Sequence, residues 1–279
     1  MLQIEVEECA GACYGVNRAL KIAHEASHAG GTVHTLGPLI HNPRVVAELA
    51  ECGVGVANTL DEAGQGTLVL RSHGTAPAVK AEAIARGFSV VDATCPYVAK
   101  VQQHARQLAE EGYAVVIIGE PGHAEVESIR AFGGDAVVAV ADVPEKLPEA
   151  LPARIGVVIQ TTQSQEHVEA VLAALRQRAD EVLVKETVCL ATQERQHAAA
   201  QLASRVQLML VIGGHNSGNT TRLAEICAAL CPAVHHIEGP AEIEPAWLAG
   251  IQRVGITAGA STPQQHIDAV RAHLQGLAG

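Results

Sequence analysis

The chain has 279 residues and a net charge of −11, with 48% hydrophobic and 18% charged residues. This balance is typical of a globular protein. The acidic total, with no run rich in Lys or Arg, argues against a nucleic-acid partner. No apolar run approaches the roughly 20 residues of a membrane span, and the acidic start does not resemble a signal peptide. We therefore expect a cytoplasmic protein without a membrane partner.

Short apolar runs alternate with helical patterns along the chain, which is typical of βαβ units and mostly parallel sheets. Because aromatic residues make up only 2% of the chain, the cores must be aliphatic. The predicted strands are 3–7, 32–36, 67–71, 89–91, 114–119, 136–140, 155–160, 181–185, 207–213, 233–237 and 253–258. The predicted helices are 15–29, 42–52, 77–86, 97–111, 125–132, 164–179, 192–204, 220–230, 245–248 and 263–277.

A three-fold rhythm runs through this alternation. Each third has a cysteine, and 28 positions later a polar residue follows a strand; these pairs are Cys13 and His41, Cys95 and His123, Cys189 and Ser217. A second polar loop in each third offers, in turn, His73, Thr161 and Ser261. The rhythm predicts three similar small α/β lobes, at 1–94, 95–188 and 189–279. Since ligands collect beyond the carboxyl ends of parallel strands, these loops are candidate donors to a site.

Each of the three cysteines directly precedes a predicted helix. A helix N-terminus lowers the pKa of a thiol and favours the thiolate, which is the form that binds metal. Three thiolates suit a cuboidal iron–sulfur cluster with one open iron. A three-cysteine zinc site and ordinary core cysteines are the alternatives that the spacing leaves open. The other cysteines are predicted to be small buried residues; they are Cys9, Cys52, Cys227 and Cys231.

Nine motifs stand in order along the chain and together carry a resemblance. They are Gly-Ala-Cys-Tyr-Gly-Val-Asn-Arg-Ala, Leu-Gly-Pro-Leu-Ile-His-Asn, Arg-Ser-His-Gly, Asp-Ala-Thr-Cys-Pro, Gly-His-Ala-Glu-Val-Glu, Gln-Thr-Thr-Gln-Ser, Cys-Leu-Ala-Thr-Gln-Glu-Arg-Gln, Asn-Ser-Gly-Asn-Thr-Thr-Arg-Leu and Thr-Ala-Gly-Ala-Ser. Each motif is weak alone, but the ordered set closely resembles the LytB/IspH family of 4-hydroxy-3-methylbut-2-enyl diphosphate reductases. The resemblance covers about residues 9–270.

The resemblance implies a pseudo-three-fold trefoil of three α/β lobes around one 4Fe–4S cluster with an open apical iron. It gives the ligand role to Cys13, Cys95 and Cys189. It also implies the last step of the methylerythritol phosphate route to isoprenoids, in which the allylic alcohol loses its hydroxyl and gains two electrons and protons. Isopentenyl and dimethylallyl diphosphate are the implied products. Ferredoxin or flavodoxin is the implied electron donor, and a monomer or weak homodimer is expected.

The resemblance also implies the roles of the polar residues in the loops. Glu125 would be the proton donor, with Thr161 as a relay that also touches the substrate, whereas Glu127 is expected to be structural. The residues implied to bind the diphosphate are His41, His73, His123, Ser217, Gly218, Asn219 and Ser261.

Two positions depart from the family pattern. Tyr14 stands where many relatives carry Ala, and Gly218 stands where some carry Ser. The role of His215, beside the third loop, is left open. Two other functions also stay open, namely a non-redox dehydratase that uses the open iron as a Lewis acid and a cluster-containing sensor or binding module.

Overall fold

A computed structural model describes residues 2–277, in which strands and helices alternate. The strands are β1 (Gln3–Val6), β2 (Val33–Leu36), β3 (Val54–Ala57), β4 (Thr67–Leu70), β5 (Ser89–Asp92), β6 (Ala114–Ile118), β7 (Val137–Ala141), β8 (Arg154–Ile159), β9 (Glu181–Val184), β10 (Leu208–Ile212), β11 (Val234–Ile237) and β12 (Arg253–Ala258). The helices are α1 (Tyr14–His28), α2 (Pro43–Glu51), α3 (Leu60–Ala63), α4 (Pro77–Ala85), α5 (Pro96–Glu110), α6 (Ala124–Gly133), α7 (Gln165–Arg176), α8 (Leu190–Ala203), α9 (Gly218–Ala228) and α10 (Gln264–Leu277).

These strands form three four-stranded sheets in which every neighbouring pair is parallel. Sheet I has the order β3-β2-β4-β5, sheet II the order β7-β6-β8-β9, and sheet III the order β11-β10-β12-β1. The order within each sheet is the same, except that the N-terminal strand β1 fills the last place of sheet III. The predicted α/β class with parallel sheets is confirmed.

The chain forms two compact units. Unit 1 comprises residues 2–17, 40–48 and 190–277 and contains sheet III; unit 2 comprises residues 18–39 and 49–189 and contains sheets I and II. The lobe boundaries near residues 94 and 188 stay a prediction.

Sheet II shows why its strands are apolar runs rather than alternating patterns. Ile155, Val157 and Ile159 of β8 pack in one core with residues of α7, while Val158 packs on the other face with residues of α5 and α6. A strand with both faces buried needs apolar side chains throughout. Gly156 lies on the face of α5, where an added Cβ would stand 2.8 Å from the Leu108 side chain.

Phe88 is the one aromatic residue among the buried apolar side chains of residues 2–277, which confirms an aliphatic core.

Some sequence predictions need correction. The short edge strand β3 and the one-turn helix α3 were not predicted, and the segment Pro245–Leu248 is a 3-10 helix. Cys52 is exposed after the end of α2, not buried, and Cys9 lies half-buried in the loop after β1. Cys227 and Cys231 are buried in the core of unit 1, as predicted.

Within residues 2–277, the structure has no helix with the length and apolar character needed to cross a bilayer.

Gly66 lies directly before β4 of sheet I, at a position that only glycine fits. Its φ is +111°, and an added Cβ would stand 2.4 Å from the main-chain oxygen of Thr32. Gly87 has a similar φ of +87°, but nothing lies within 4 Å of its added Cβ. We predict that Gly87→Ala costs about 1 kcal/mol through its backbone conformation alone. Gly66→Ala should cost about 2 kcal/mol more through overlap. Urea unfolding followed by circular dichroism measures both, and equal midpoints for the two variants would contradict the overlap.

Candidate active site

Glu125 and Thr161 lie close together in unit 2, at the carboxyl ends of two neighbouring strands. Glu125 is in the first turn of α6, after β6, and Thr161 follows β8. The Thr161 N–H donates to Glu125 Oε1 at 2.7 Å, and the Thr161 hydroxyl donates to Oε2 at 2.9 Å. Both carboxyl oxygens are therefore held by one residue, in the contact that was predicted from the sequence.

The Glu125 carboxyl is only 3% exposed. Burial raises its pKa from an ordinary 4.5 to about 7, since the charged form loses its water. The hydrogen bonds from Thr161 act in the opposite direction, and the nearby Glu120 carboxylate adds to the increase. Because burial is the largest of these effects, the carboxyl can carry a proton near neutral pH.

His73 and His123 lie on loops of unit 2 that contact the main chain around Glu125. Their rings meet edge to face with centroids 5.7 Å apart. His123 precedes α6, and its Nδ1 accepts the Glu125 N–H at 3.1 Å. A ring nitrogen that accepts a hydrogen bond is not protonated, so a proton on the neutral His123 ring must sit on Nε2. In that tautomer Nε2–H is the donor of the ring.

A buried pair, Gln102 and Ser128, links these loops and was not singled out from the sequence. Gln102 Nε2 donates to Ser128 Oγ at 3.0 Å. The Ser128 hydroxyl lies 2.7 Å from the main-chain oxygen of His73 and 2.8 Å from that of Glu125. An added Cβ on Gly74, whose φ is +79°, would stand 2.1 Å from Gln102 Nε2. The His73 loop thus packs closely on the turn that carries Glu125.

Cys95 and Cys189 have similar surroundings in unit 2. Each is half-buried, each directly precedes a long helix, and neither helix has an acidic residue in its first turn. The Cys95 N–H donates to the main-chain oxygen of Ser72 at 2.9 Å, and the Cys189 N–H donates to that of Thr161 at 3.0 Å. The main chain at each cysteine is thereby tied to a loop that carries a predicted site residue.

Cys13, in unit 1, repeats this arrangement. It is half-buried, it precedes α1, which has no acidic residue in its first turn, and its N–H donates to the main-chain oxygen of Ala260 at 3.0 Å. The next residue, Ser261, donates its hydroxyl to the main-chain oxygen of His41 at 3.1 Å. The Asn42 side chain donates to the main-chain oxygen of Ser261 at 2.9 Å. Unit 1 therefore brings the His41 and Ser261 loops together.

The N-terminus of α9 adds further donors in unit 1. Ser217 is the N-cap, Gly218 and Asn219 begin the helix, and the first turn has no acidic residue. Main-chain N–H groups at such an N-terminus bind anions well. Asn219 is 7% exposed, yet neither polar atom of its amide has a partner among residues 2–277. A buried amide without partners is costly unless a ligand satisfies it.

Tyr14 and His215 were left without a role by the sequence. Tyr14, which departs from the family pattern, is 65% exposed and directly follows Cys13. His215 turns to acidic neighbours, since its N–H donates to Glu238 at 2.8 Å and its ring lies 3.3 Å from Glu242. Nothing in these contacts gives His215 a role toward a ligand.

A cavity of about 530 Å³ also lies in unit 2, near the carboxyl ends of β2 and β4. Arg71, Thr75 and Glu127 are among its lining residues, but the predicted site residues are not. This cavity is therefore separate from the Glu125 and Thr161 pair.

The three cysteines fit a group that takes thiolates. Each stands at the N-terminus of a helix whose first turn carries no acidic residue. Within residues 2–277, no three His, Cys, Asp or Glu side chains are close enough to hold a single metal ion. Cysteine sulfur is the ligand that an iron–sulfur cluster takes, so the donor chemistry of these residues fits such a group.

The chain is similar to a well-defined set of known proteins. Residues 4–275 match the family model for LytB protein. The 4-hydroxy-3-methylbut-2-enyl diphosphate reductase of Pelobacter propionicus is 48% identical over 271 residues, which cover 96% of this chain and 96% of the relative. The reductase of the same name from Geotalea uraniireducens is 44% identical over 278 residues, 99% of this chain and 98% of the relative.

Two solved structures are also similar. A structure of (E)-4-hydroxy-3-methyl-but-2-enyl diphosphate reductase, described as the terminal enzyme of the non-mevalonate pathway, has 40% identity and a TM-score of 0.70. It covers 99% of this chain and 100% of its own. The E-1-hydroxy-2-methyl-but-2-enyl-4-diphosphate reductase of Plasmodium falciparum has a TM-score of 0.92 over 100% of this chain and 88% of its own, but at 22% identity it supports the fold alone.

The unsatisfied amide of Asn219 generates a stability prediction. Asn219→Leu should leave the urea midpoint unchanged or raise it, because the variant removes buried polar atoms that have no partner. Inorganic pyrophosphate should bind this variant about tenfold more weakly, since the amide donors are lost; isothermal titration calorimetry measures this.

Asn42→Leu is the matched control for stability. The Asn42 amide is equally buried, but it donates to Ser261 at 2.9 Å and accepts from the Val45 N–H at 3.3 Å. This variant should lose about 1–3 kcal/mol of stability. A larger loss in Asn219→Leu than in Asn42→Leu would show that the Asn219 amide is satisfied within the fold.

Proposed function

Because the chain belongs to the LytB protein family, we propose that it reduces 4-hydroxy-3-methylbut-2-enyl diphosphate in the terminal reaction of the non-mevalonate pathway. The bond between carbon and the allylic hydroxyl breaks, two electrons and two protons enter, and water leaves. The products are isopentenyl and dimethylallyl diphosphate. The observation that carries the mechanism is the buried Glu125 carboxyl, whose raised pKa suits a proton donor.

We assign diphosphate binding to donors in the loops beyond the strands. In unit 1 these are His41, Ser217, Gly218, Asn219 and Ser261, and in unit 2 they are His73 and His123. The assignment is supported by the unpartnered Asn219 amide and by the main-chain N–H groups of α9.

Glu125 donates the proton that leaves with the substrate hydroxyl. In its neutral form the carboxyl is a hydrogen-bond donor, and burial keeps water from competing for that proton. Thr161 holds both carboxyl oxygens and relays the proton through its hydroxyl, which also contacts the substrate hydroxyl. The arrangement fixes the acid before substrate arrives, so little reorganisation is needed during the reaction.

Cys13, Cys95 and Cys189 would hold one 4Fe–4S cluster with an open apical iron. When bound, such a cluster supplies electrons and a Lewis-acidic iron. Each cysteine lies at a helix N-terminus, and its main-chain hydrogen bond to a neighbouring loop holds its backbone in place. We further propose ferredoxin or flavodoxin as the electron donor, a cytoplasmic location, and a monomer or weak homodimer.

Glu125→Gln tests the proton donor. This variant should keep its iron content while turnover of the allylic diphosphate under anaerobic reduction falls by about 10²-fold or more. In the wild type, turnover should decline as pH rises through about 7, because the raised pKa of Glu125 leaves its proton on below that pH and off above it. Steady-state kinetics with a one-electron donor measures both effects.

Glu127→Gln is the matched control, since Glu127 lies in the same turn of α6 but is exposed. It should turn over like the wild type. Wild-type turnover by Glu125→Gln would refute the role of Glu125, and wild-type turnover without added electrons would indicate a dehydratase instead.

Cys95→Ser tests the cluster ligand. A serine hydroxyl is a far poorer iron ligand than a thiolate, so this variant should lose most of its iron and sulfide. Cys52→Ser, which changes an exposed cysteine, should keep both. Iron and acid-labile sulfide analysis after anaerobic purification measures the difference. Equal iron content in the two variants would reject Cys95 as a ligand.

A further inference from the structure

Arg195, in α8, is a buried cation. It is 4% exposed, and no acidic side chain forms an ion pair with it within residues 2–277. A guanidinium is buried at a high cost unless its donors are satisfied. Arg195 belongs to the motif that begins at Cys189, but it has no role in the proposed reaction. Its burial must therefore have another explanation.

The partners of Arg195 identify that reason. Its Nε donates to the main-chain oxygen of Cys9 at 3.1 Å, and Nη2 donates to that of Gly11 at 2.8 Å. The remaining contact, from Nη1, is with its own helix at Ala191, at 3.4 Å. Two arms of the guanidinium fork thus hold the loop that ends at Cys13.

Glu7 holds the same loop from the other side. Its carboxylate is 6% exposed, accepts the N–H of Cys9, and accepts the Thr257 hydroxyl at 3.0 Å. The peptide N–H of Cys9 therefore meets a buried anion, while the Cys9 carbonyl meets the buried cation of Arg195. The two charges are bridged by main-chain atoms, which is why they form no direct ion pair.

The rest of the loop has little freedom. Gly11 has a φ of +109°, and its added Cβ would stand 3.1 Å from the Ile267 side chain and 3.3 Å from the Thr262 main-chain oxygen. The Gly11 N–H donates to Ala258 at 3.4 Å, and the Cys13 N–H donates to Ala260 at 3.0 Å. Residues 7–13 are therefore held in two ways. Their N–H groups donate to main-chain oxygens of β12 and the loop after it, and their carbonyl oxygens accept from Arg195.

We propose that Arg195 and Glu7 are positioning residues that hold residues 7–13 in the conformation in which Cys13 binds the cluster. The inference rests on the proposed ligand role of Cys13. Neither residue touches substrate in this proposal, and each acts through main-chain atoms within four residues of Cys13. Arginine is suited to this task because its planar fork reaches two carbonyl oxygens, whereas the single ammonium of lysine does not span them in the same way.

The test compares variants of the full chain purified anaerobically. Arg195→Met removes both donors and keeps an apolar stem, Arg195→Lys keeps the charge, and Glu7→Gln keeps the shape of the acceptor. Arg205→Met is the matched control, because Arg205 lies just after α8 but pairs with Glu5 at the surface. Two readouts are used, hydrogen–deuterium exchange of the peptide that covers residues 7–13 and the rate at which iron is released to a chelator.

Arg195→Met should increase amide exchange in residues 7–13 by about tenfold or more, because the loop opens more often once two donors are lost. Exchange in β6 and β8 should stay unchanged. Iron release should be faster and kcat lower, with KM for the diphosphate near the wild-type value. Arg195→Lys should lie between Arg195→Met and the wild type, Glu7→Gln should loosen the same peptide, and Arg205→Met should match the wild type.

Wild-type exchange in residues 7–13 of Arg195→Met would overturn the proposal. So would an increase of equal size throughout unit 1, or an equal effect of Arg205→Met, since each would indicate general destabilisation. If Arg195→Met does not fold, Arg195→Lys and Glu7→Gln decide the question by the same readouts. The exchange measurement does not require turnover, so a failure of the proposed reaction is distinguishable from a failure of this inference.

Discussion

The burial of the Glu125 carboxyl is the constraint on which the chemistry of unit 2 depends. An acid that works near neutral pH needs a desolvated carboxyl, yet a desolvated carboxyl must still be held in place. Sheet II meets both requirements because β6 and β8 are neighbours and parallel, so that their carboxyl ends deliver Glu125 and Thr161 to the same edge. The two bonds from Thr161 favour the ionised form, but burial outweighs them and leaves a pKa of about 7. Additional hydrogen-bond donors would hold the carboxyl equally well, but they would lower its pKa. The carboxyl would then lose its proton near neutral pH.

The main-chain hydrogen bonds of the three cysteines show how these residues are held in place. Each cysteine precedes a helix, and each main-chain N–H is used in a bond to a loop that carries a predicted polar site residue. The backbone of each cysteine is thus held by a neighbouring loop, and its side chain lies at the start of the helix that follows. Glu7 and Arg195 act in a similar way, because their buried side chains bond to main-chain atoms of the loop that leads to Cys13.

Much of this architecture could be predicted from the sequence because it depends on local patterns. The apolar runs of β6 and β8, and the cysteines that precede helices, are visible in a window of a few residues. The short strand β3 was missed because Val54–Ala57 is an edge strand of only four residues interrupted by Gly55, and so offers little periodicity. The links from Gln102 to Ser128 and from Arg195 to Cys9 were missed for a different reason. They join residues that are distant in sequence, and nothing local indicates which polar side chain will be buried beside which carbonyl. The unsatisfied amide of Asn219 belongs to the same class, since only the folded structure reveals that residues 2–277 offer it no partner.

The placement of β1 in sheet III has a consequence for how the protein is made. Strand β1 pairs with β12, and the Cys13 N–H donates to the main-chain oxygen of Ala260, so these two parts of the segment find partners among residues 253–260. Sheets I and II are built from strands that are close in sequence and can form while synthesis continues. Until β12 has emerged, β1 has no strand to pair with, and the loop that leads to Cys13 lacks its hydrogen bonds to Ala258 and Ala260. The segment around Cys13 therefore reaches its final conformation late in folding, after residues 253–260 have been synthesised.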